Sequence, residues 1–585
     1  MKTKNILATF LILMTTQFCL ADNATKSGGN VFKETPTIHC LGVRWAILGD
    51  ANKNATIHVN YRKKGKQEWL KGYPLFRTRP NPHNSNRSRI HTVKGGWMFA
   101  GSILGLEEDT EYEVKLRLED PDGGKVSKQL TMKTWKEPTE PKGMVTKYVI
   151  PGDGGGTGTK ADPFKGSTAA VATAAPGNLF QFAKGSYSKF SVKANGTEQK
   201  PIIFRGPTTG EANIDGGGSS NPKVKPRVSV IRIKDRKHLW FENLSIRNGF
   251  YAINGNSSSN IVVRRCKFRN VAKGFNAQNG GYKKSVHHFI VDNDYLGPTK
   301  WPRERGIETF CLTYMSGSGH IVAYNKISNA GDAVHGTGHG SWSACDIYSN
   351  EANICTDDAF ETDHSEFNIR VWGNVIRNVA HGITAQPSRG GPTYIFRNVI
   401  YNATYSPFKL NNHTTGVMIF HNTCFKNKNA FNIVPAQETV TNIRMRNNLF
   451  LCHMGTGLYV GTRNMKLSDF DNDGYGGFKQ FARWNGKINY KTVGDAKSGG
   501  QIYKDKGAYL INPKTCFASK LLPPADKNKT YTLKEIDYRL APKSDAVDKG
   551  VVLPNFNDGF KGKAPDLGAL EEGQPLPHVG PRPLK

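Results

Sequence analysis

The chain has 585 residues, a formal net charge of +32 at pH 7 and a pI of about 9.7. This length exceeds that of one ordinary domain and allows two or three hydrophobic cores. The charge favours an anionic partner, but Lys and Arg are dispersed along the chain rather than gathered into a tail. That distribution argues against a nucleic-acid-binding arm, so we expect no nucleic-acid partner.

Residues 1–21 have the pattern of a secretory signal peptide. Lys2 and Lys4 precede the apolar run ILATFLILM, and CLA before Asp22 suits signal-peptidase cleavage. We therefore predict a secreted protein, extracellular or periplasmic. No other stretch approaches about 18 consecutive apolar residues, so we expect no membrane insertion. Eight cysteines follow the signal segment without a CxxC pair, and we expect mostly buried free thiols.

Residues 36–137 predict a small β-sandwich. ATIHVNYRK, EYEVKLRLED and KQLTMKTW alternate apolar and polar residues as half-buried strands do, and turn-rich stretches separate them. GLEEDTEYEVKLRLED resembles the fibronectin type III pattern, which implies that Leu106 and Tyr112 pack one end of the sandwich. The Pro-rich residues 138–146 then predict a linker.

From about residue 230 to 452 the chain repeats itself. One column of Asn residues recurs at steps of 25, 24, 24 and 24 residues, and it comprises Asn325, Asn350, Asn374, Asn398 and Asn422. A second column holds Asn248, Asn270, Asn329, Asn378, Asn402 and Asn427. The repeats contain short β-branched or aromatic strands separated by Gly and Asn, and they lack the fixed Leu positions of leucine-rich repeats. We predict an all-β right-handed parallel β-helix, a solenoid, with structural Asn ladders at its bends.

Both ends of this region support the assignment. PGNLFQFAKGSYSKFSVKANGTEQKPIIFRG resembles the opening coils of pectate-lyase-like β-helix enzymes. YRLAPKSDAVDKGVVLPNFNDGFKGKAPDLGALEEG is similar to the closing segment of secreted β-helix proteins, which implies that Ser544, Asp548, Asp566 and Glu571 cap the last coil. The resemblance implies a polysaccharide-degrading domain over residues 147–575.

An acidic stretch, DDAFETDHSEF at 357–367, stands out in this basic chain. Aligning the repeats stacks an inward column of Val334, Phe360, Ile383, Phe408 and Phe431. Strand alternation then turns two neighbouring columns outward to solvent. The first comprises His335, Glu361, Thr384, Lys409 and Asn432, and the second comprises Thr337, Asp363, Gln386, Asn411 and Val434.

This outward patch predicts a general acid–base site. The candidate catalytic residues are Glu361, Asp363, His335 and Lys409, and the candidate substrate-binding residues are Gln386, Arg389, His339, His413 and Asn411. Asp358 aligns with Asp332, and we expect both to bond turn backbone.

The Glu361-Thr362-Asp363 triplet resembles the Glu-x-Asp pair of iota-carrageenases, β-helix hydrolases of a sulfated galactan. The resemblance implies hydrolysis of an anionic, sulfated algal-type polysaccharide by a monomer without a required cofactor. Glu361 would protonate the leaving oxygen and Asp363 would activate water. Carboxyls two residues apart on a strand lie about 5 to 9 Å apart, which spans both stereochemical outcomes, and the resemblance favours inversion.

Two alternatives stay open at this stage. Lys409 and Arg389 resemble the Lys–Arg pair of chondroitinase-B-like lyases, which implies β-elimination on a uronate-containing chain, with Ca²⁺ held by Glu361 and Asp363. In that reading, cationic surroundings lower the pKa of Lys409 so that it can act as base. The second alternative is a non-catalytic glycan-binding β-helix, which explains the acid patch least well.

Overall fold

The computed structural model describes residues 22–79, 92–278, 284–303, 309–336, 342–433, 439–461, 465–503 and 507–583. The predicted signal segment lies outside these residues. In the described part of the chain, no helix is long and apolar enough to cross a membrane. All eight cysteines are buried free thiols, as predicted.

The N-terminal region forms two antiparallel sheets that enclose one apolar core. The first sheet contains Thr25–Ser27, Phe32–Lys33, Leu41–Gly49, Phe76–Arg77 and Gly96–Ile103. The second contains Thr56–Lys63, Leu70–Gly72, Glu111–Glu119 and Lys125–Lys133. The hydroxyl of Tyr112 accepts a hydrogen bond from the Glu107 amide at 2.9 Å, and Leu106 is buried beside it. These positions agree with the expected end of the sandwich, while the fibronectin type III family stays a prediction.

The rest of the described chain winds into the predicted parallel solenoid. Fourteen strands form one long sheet, in the order Phe164–Lys165, Val145–Ile150, Asn178–Phe182, Ile202–Arg205, Leu239–Glu242, Val262–Arg264, Phe289–Val291, Ile321–Ala323, Asp346–Tyr348, Ile369–Trp372, Arg389–Phe396, Thr415–Phe420, Thr441–Arg446 and Asp469–Phe470. We call this the docking sheet, because the N-terminal sandwich packs against it.

Seventeen strands form a second long sheet, which carries the acid patch and is called the site sheet below. They are Gly185–Ser188, Phe190–Ser191, Ala212–Asp215, Ser229–Arg232, Ser245–Asn254, Lys267–Ala277, Asp294–Leu296, Cys311–Met315, Lys326–Ala330, Val334–Gly336, Glu351–Glu361, Val375–Thr384, Val399–Lys409, Thr423–Lys428, Leu449–Met454, Asp473–Gly476 and Ala508–Leu510.

Smaller elements complete the described coils. Gly317–Ser318 pairs with Trp342–Ser343, and a four-stranded sheet contains Phe431–Ile433, Thr456–Val460, Gln480–Trp484 and Ile488–Tyr490. Among the described residues, helices span Ser167–Ala172, Val493–Ser498 and Pro513–Cys516, and a 3-10 turn spans Leu533–Glu535.

The predicted Asn ladder is confirmed and is longer than expected. Each side-chain amide in the column Asn325, Asn350, Asn374, Asn398 and Asn422 donates to the amide oxygen one coil further, at 2.9–3.0 Å. Asn293 precedes this column, and Asn448 and Asp473 continue it. Burial at the end of the ladder raises the pKa of Asp473 to about 7. The ladder satisfies polar groups that would otherwise be unpaired inside the solenoid.

The closing segment differs from a simple cap. Its apolar residues pack against site-sheet strands of several coils, as in the cluster of Val399, Phe425, Phe517 and Leu567. The segment then runs back along the solenoid, where Arg582 bonds both Asp292 and Glu137. It therefore covers the flank of the coils rather than only the last one, because apolar side chains on that flank need a partner.

Candidate active site

The site rests on the predicted inward column. Val334 pairs with Phe360, Phe360 with Ile383, and Ile383 with Phe408, and all four side chains are fully buried. The same register places Glu361 beside Thr384 and Thr384 beside Lys409. The register reading is therefore confirmed for these coils, and it fixes which side chains share the opposite face.

The expected solvent exposure of the two acids is wrong. Glu361 is only 8% exposed and Asp363 only 7%. The imidazole of His335 lies 2.7 Å from Glu361, and the charges of His335 and Lys409 act directly on Asp363. His335 contacts Asp332 and Glu361, and Lys409 contacts Asp358, so the patch is an enclosed acid cluster with His335 and Lys409 at its partly exposed edge.

His335 links two carboxyls of the cluster. Its Nδ1 lies 2.8 Å from Asp332 Oδ2 and 2.7 Å from Glu361 Oε2. The hydrogen bond of Nδ1 is with Asp332, and Glu361 Oε2, although close to Nδ1, is buried without a hydrogen-bond partner among the described residues. Burial opposes the imidazolium, but the hydrogen bond to Asp332 and its charge outweigh that effect and raise the pKa of His335.

The surroundings of Glu361 favour its protonated form. Burial first, and then repulsion from Asp332, Asp363 and Asp358, raise the pKa of Glu361 well above its ordinary value. Desolvated carboxylates this close together cannot all ionise, so the group with the least compensation keeps its proton. This environment therefore favours Glu361 as the proton donor of the cluster.

Asp363 is compensated much better than Glu361. Its Oδ1 accepts hydrogen bonds from Thr384 Oγ1 at 2.9 Å and from the Gln386 amide at 2.7 Å. Burial raises the pKa of Asp363 to about 6, with the charge of Lys409 as the largest opposing effect. Asp363 therefore has the hydrogen bonds and the nearby positive charge that favour its ionised form, whereas Glu361 Oε2, two residues away, lacks a hydrogen-bond partner among the described residues.

Asp332 and Asp358 belong to the site more than expected. Asp332 Oδ1 does accept a backbone bond, from the Asp358 amide at 3.0 Å, as predicted. The Asp358 carboxylate instead pairs with Lys409, whose Nζ lies 3.0 Å from Oδ2. Its second oxygen, Oδ1, is buried without a partner among the described residues. The prediction that Asp358 only bonds turn backbone is therefore wrong.

The expected pKa direction for Lys409 is also wrong. Burial lowers the pKa of this ammonium, but the charges of Asp358 and Asp357 outweigh burial and raise it above the ordinary value. The surroundings of Lys409 are anionic rather than cationic, because a single coil brings Asp357, Asp358 and Asp363 towards this one position. Lys409 is consequently a fixed positive charge and not a base.

The predicted binding residues have different surroundings in the structure. Gln386 lies at the cluster, and the side-chain oxygens of Gln386 and Asn411 are buried without partners among the described residues. His413 bonds Thr439 at 3.0 Å. Arg389 differs from its predicted outward position, because it is fully buried and bonded to Glu366 at 3.0 Å and to His364 at 3.1 Å. His339 lies outside the described residues.

Two residues beside the cluster were not predicted. Arg303 lies between the strands Asp294–Leu296 and Cys311–Met315, and its Nη2 is 2.9 Å from Asp357 Oδ1. Its guanidinium also lies over the ring of Tyr405, at 5.4 Å from the centroid. Tyr405 is 52% exposed and stacks on His381 at 5.3 Å. An exposed aromatic ring beside an acid–base cluster offers an apolar face to a sugar ring.

The predicted calcium pair does not match the groups that the described residues bring together. Ligand atoms of Asp332, His335 and Glu361 lie within 4.8 Å of one another, as do those of Asp357, Asp358 and His381. Asp363 belongs to neither group. Calcium prefers oxygen ligands, whereas each group contains an imidazole, and Lys409 already supplies positive charge at Asp358. These residues therefore fit calcium poorly.

No protein-family model matches the chain, and neither does any curated protein. Among solved structures, the catalytic domain of a GH87 α-1,3-glucanase in complex with nigerose is 12% identical, with 83% of this chain and 97% of that chain covered and a TM-score of 0.29. Pectate lyase PelI from Erwinia chrysanthemi is 9% identical, with 69% and 89% covered and a TM-score of 0.18. Both neighbours are polysaccharide-degrading enzymes, one a hydrolase and one a lyase. At these scores the likeness adds nothing on chemistry, which rests on the residues described above.

Proposed function

We propose that the protein is a secreted enzyme that depolymerises an anionic, sulfated polysaccharide by glycosidic hydrolysis. The observation that carries this proposal is the difference between two neighbouring carboxyls. Burial and neighbouring acids raise the pKa of Glu361 well above its ordinary value, whereas hydrogen bonds and the charge of Lys409 limit the rise in the pKa of Asp363 to about 6. A protonated and an ionised carboxyl side by side are what hydrolysis of a glycosidic bond requires.

The roles follow from these protonation states. Glu361 donates its proton to the leaving glycosidic oxygen as the bond to the anomeric carbon breaks. Asp363, through the oxygen that Thr384 does not hold, takes a proton from the water that attacks that carbon. His335 and Lys409 keep positive charge beside the remaining acids, so that the cluster tolerates a charge change during each turnover.

Elimination is supported less well. A lyase needs a neutral base and a positive group that stabilises the substrate carboxylate. The anionic neighbours of Lys409 keep it protonated, and the guanidinium of Arg389 is enclosed by Glu366 and His364. Lys409 and Arg389, the two residues that elimination would require, are therefore already held by neighbouring side chains.

The net charge of +32 supports an anionic substrate. A purely glycan-binding protein needs cations but has no use for mutually repelling buried acids, which cost stability unless they serve a reaction. We therefore favour an enzyme over a binding module, and the clustered acids are the reason.

The products distinguish the three functions. We expect digestion of sulfated and uronate-containing polysaccharides to yield new reducing ends, without ultraviolet absorption from a 4,5-unsaturated uronate. Mass spectrometry should show a gain of one water per cleaved bond, and activity should persist in a chelator. An unsaturated product would replace hydrolysis with elimination, and binding without any cleavage would leave only the non-catalytic module.

The pH profile should depend on Lys409. Asp363 must be ionised to act as base, so activity should rise with pH through about 6, the pKa of Asp363. Lys409→Met removes the largest effect that lowers this pKa, so the acid limb should move upward by about one pH unit. The measurement is kcat/KM against pH, with Lys428→Met on an exposed position as the control. If the acid limb did not move, the charge of Lys409 would not control the pKa of Asp363, and this prediction would be wrong.

A further inference from the structure

A large cavity lies on the early coils, away from the acid cluster. Its volume is about 1070 Å³, and it is lined by the helix Ser167–Ala172 and by residues of the strands Phe190–Ser191 and Ser229–Arg232. Val171 and Phe190 form part of an apolar floor, and Ser191 supplies a hydroxyl. We call this the basic cavity, for the reason given next. Its size suits a ligand of several rings rather than a single ion.

The charge around the basic cavity has one sign. Lys189, Lys193, Arg227 and Arg232 line it, all four are exposed, and no carboxylate contributes to the lining. Within the described part of the chain, none of the four forms an ion pair. The guanidinium of Arg227 lies over the ring of Phe250, at 4.5 Å from the centroid, which orients its N–H groups without neutralising them. Four cations without an ion-pair partner among the described residues, placed around an apolar floor, favour an anionic ligand that also has apolar faces.

We propose that the basic cavity binds an acidic segment of the polysaccharide, remote from the bond that is cleaved. The C–H faces of sugar rings would lie on the apolar floor, and sulfate or carboxylate groups would meet the cations of the rim. This inference rests on the proposed function, since it names a second subsite for the same class of substrate. A nucleic acid fits less well, because the lining offers no exposed aromatic ring on which bases could stack.

The register of the site sheet connects the cavity to the acid cluster. Arg232 pairs with Asn254, Asn254 with Asn276, Asn276 with Tyr314, and Tyr314 with His335. Glu361 lies one coil further, so Arg232 and Glu361 are five coils, or about 24 Å, apart along the sheet. Only a chain of several sugars reaches both places. The cavity should therefore favour long substrates over short ones.

Binding by the full chain tests this proposal directly. The probes are dextran sulfate, alginate, neutral dextran and duplex DNA, each measured by calorimetry at two salt concentrations. The test variant carries Lys189→Gln, Lys193→Gln, Arg227→Gln and Arg232→Gln. The control loses the same charge at exposed positions of the closing segment, with Lys534→Gln, Lys543→Gln, Lys549→Gln and Lys561→Gln.

We expect the cavity variant to bind the sulfated or the uronate-bearing probe at least about tenfold more weakly, with a shallower salt dependence, while the control changes less than about twofold. Whichever of the two anions loses more affinity identifies the charged group. In digestion, the cavity variant should have a higher KM for long chains and unchanged kinetics on short ones. Equal losses in both variants, or tighter binding of DNA than of either glycan, would overturn the proposal. Cavity-dependent binding without hydrolysis by the wild type would refute only the proposed function.

Discussion

Glu361→Gln should reduce turnover of the natural polysaccharide by about 10³-fold while leaving the protein folded. The amide has the shape of the acid but has no acidic proton to give to the leaving oxygen. The substitution costs no hydrogen bond at Oε2, because this oxygen has no hydrogen-bond partner among the described residues, although His335 Nδ1 lies 2.7 Å away. The substitution also removes one of several mutually repelling carboxyls, so the stability should be unchanged or higher.

The leaving group provides the sharpest measurement of this role. A substrate with an activated aryl leaving group needs little protonation, so the same variant should cleave it with a much smaller loss of rate. Asp363→Asn should lose activity on both substrates, since both need the attacking water. Glu211→Gln, at a partly exposed position outside the cluster, is the control. If Glu361→Gln lost the same fraction of its rate on the natural and the activated substrate, Glu361 would not be the general acid.

The sequence predicted which face each side chain occupies but not how far it is enclosed. The period of two along a strand places Phe360 inward and Glu361 on the other face, and the register confirms both. Burial of Glu361 depends on side chains that reach across from neighbouring coils, such as His335 and Lys409. The repeat spacing shows which residues are neighbours on adjacent coils, whereas side-chain rotamers decide which of these neighbours are in contact. That limit explains why the Asp358–Lys409 pair was missed.

The full extent of the Asn ladder could not be predicted from the sequence either. Regular steps of 24 or 25 residues revealed its centre, but Asn293 stands 32 residues before Asn325 because an insertion interrupts that coil. At the other end, Asp473 replaces Asn and still accepts from Asn448 at 2.8 Å. A periodic search finds neither an irregular spacing nor a substituted residue type. Hydrogen-bond chemistry is what makes these positions equivalent.

The contact between sandwich and solenoid could not be predicted from the sequence at all. Arg370 and Asp346, neighbours in the docking sheet, form a fully buried ion pair. Arg370 Nη1 also donates to Ser102 Oγ of the sandwich at 3.1 Å, and the Ser102 amide donates to the Tyr394 hydroxyl at 3.0 Å. From the sequence alone, an Arg in an apolar strand would be placed on the solvent side of the sheet. Only the structure shows that the sandwich covers Arg370.

Arg370→Met should destabilise the protein by about 3–5 kcal/mol, because it leaves Asp346 buried without its counter-charge. One oxygen, Asp346 Oδ2, already has no hydrogen-bond partner among the described residues, so the loss of Arg370 cannot be compensated locally. The double variant with Asp346→Leu should recover most of this loss, because it removes the unpaired charge itself. The measurement is the denaturant midpoint of unfolding, followed together with proteolysis of the segment 136–144.

Lys63→Met is the control for Arg370→Met, because it breaks an exposed ion pair with Glu107 and should change the midpoint little. Early cleavage between sandwich and solenoid in Arg370→Met would show that the pair holds the two together. Hydrolysis by the remaining folded protein should be unaffected, because Arg370 lies in the docking sheet and the acid cluster in the site sheet. A stable Arg370→Met with reduced turnover would contradict this separation, and would mean that the sandwich acts on the acid cluster through the coils.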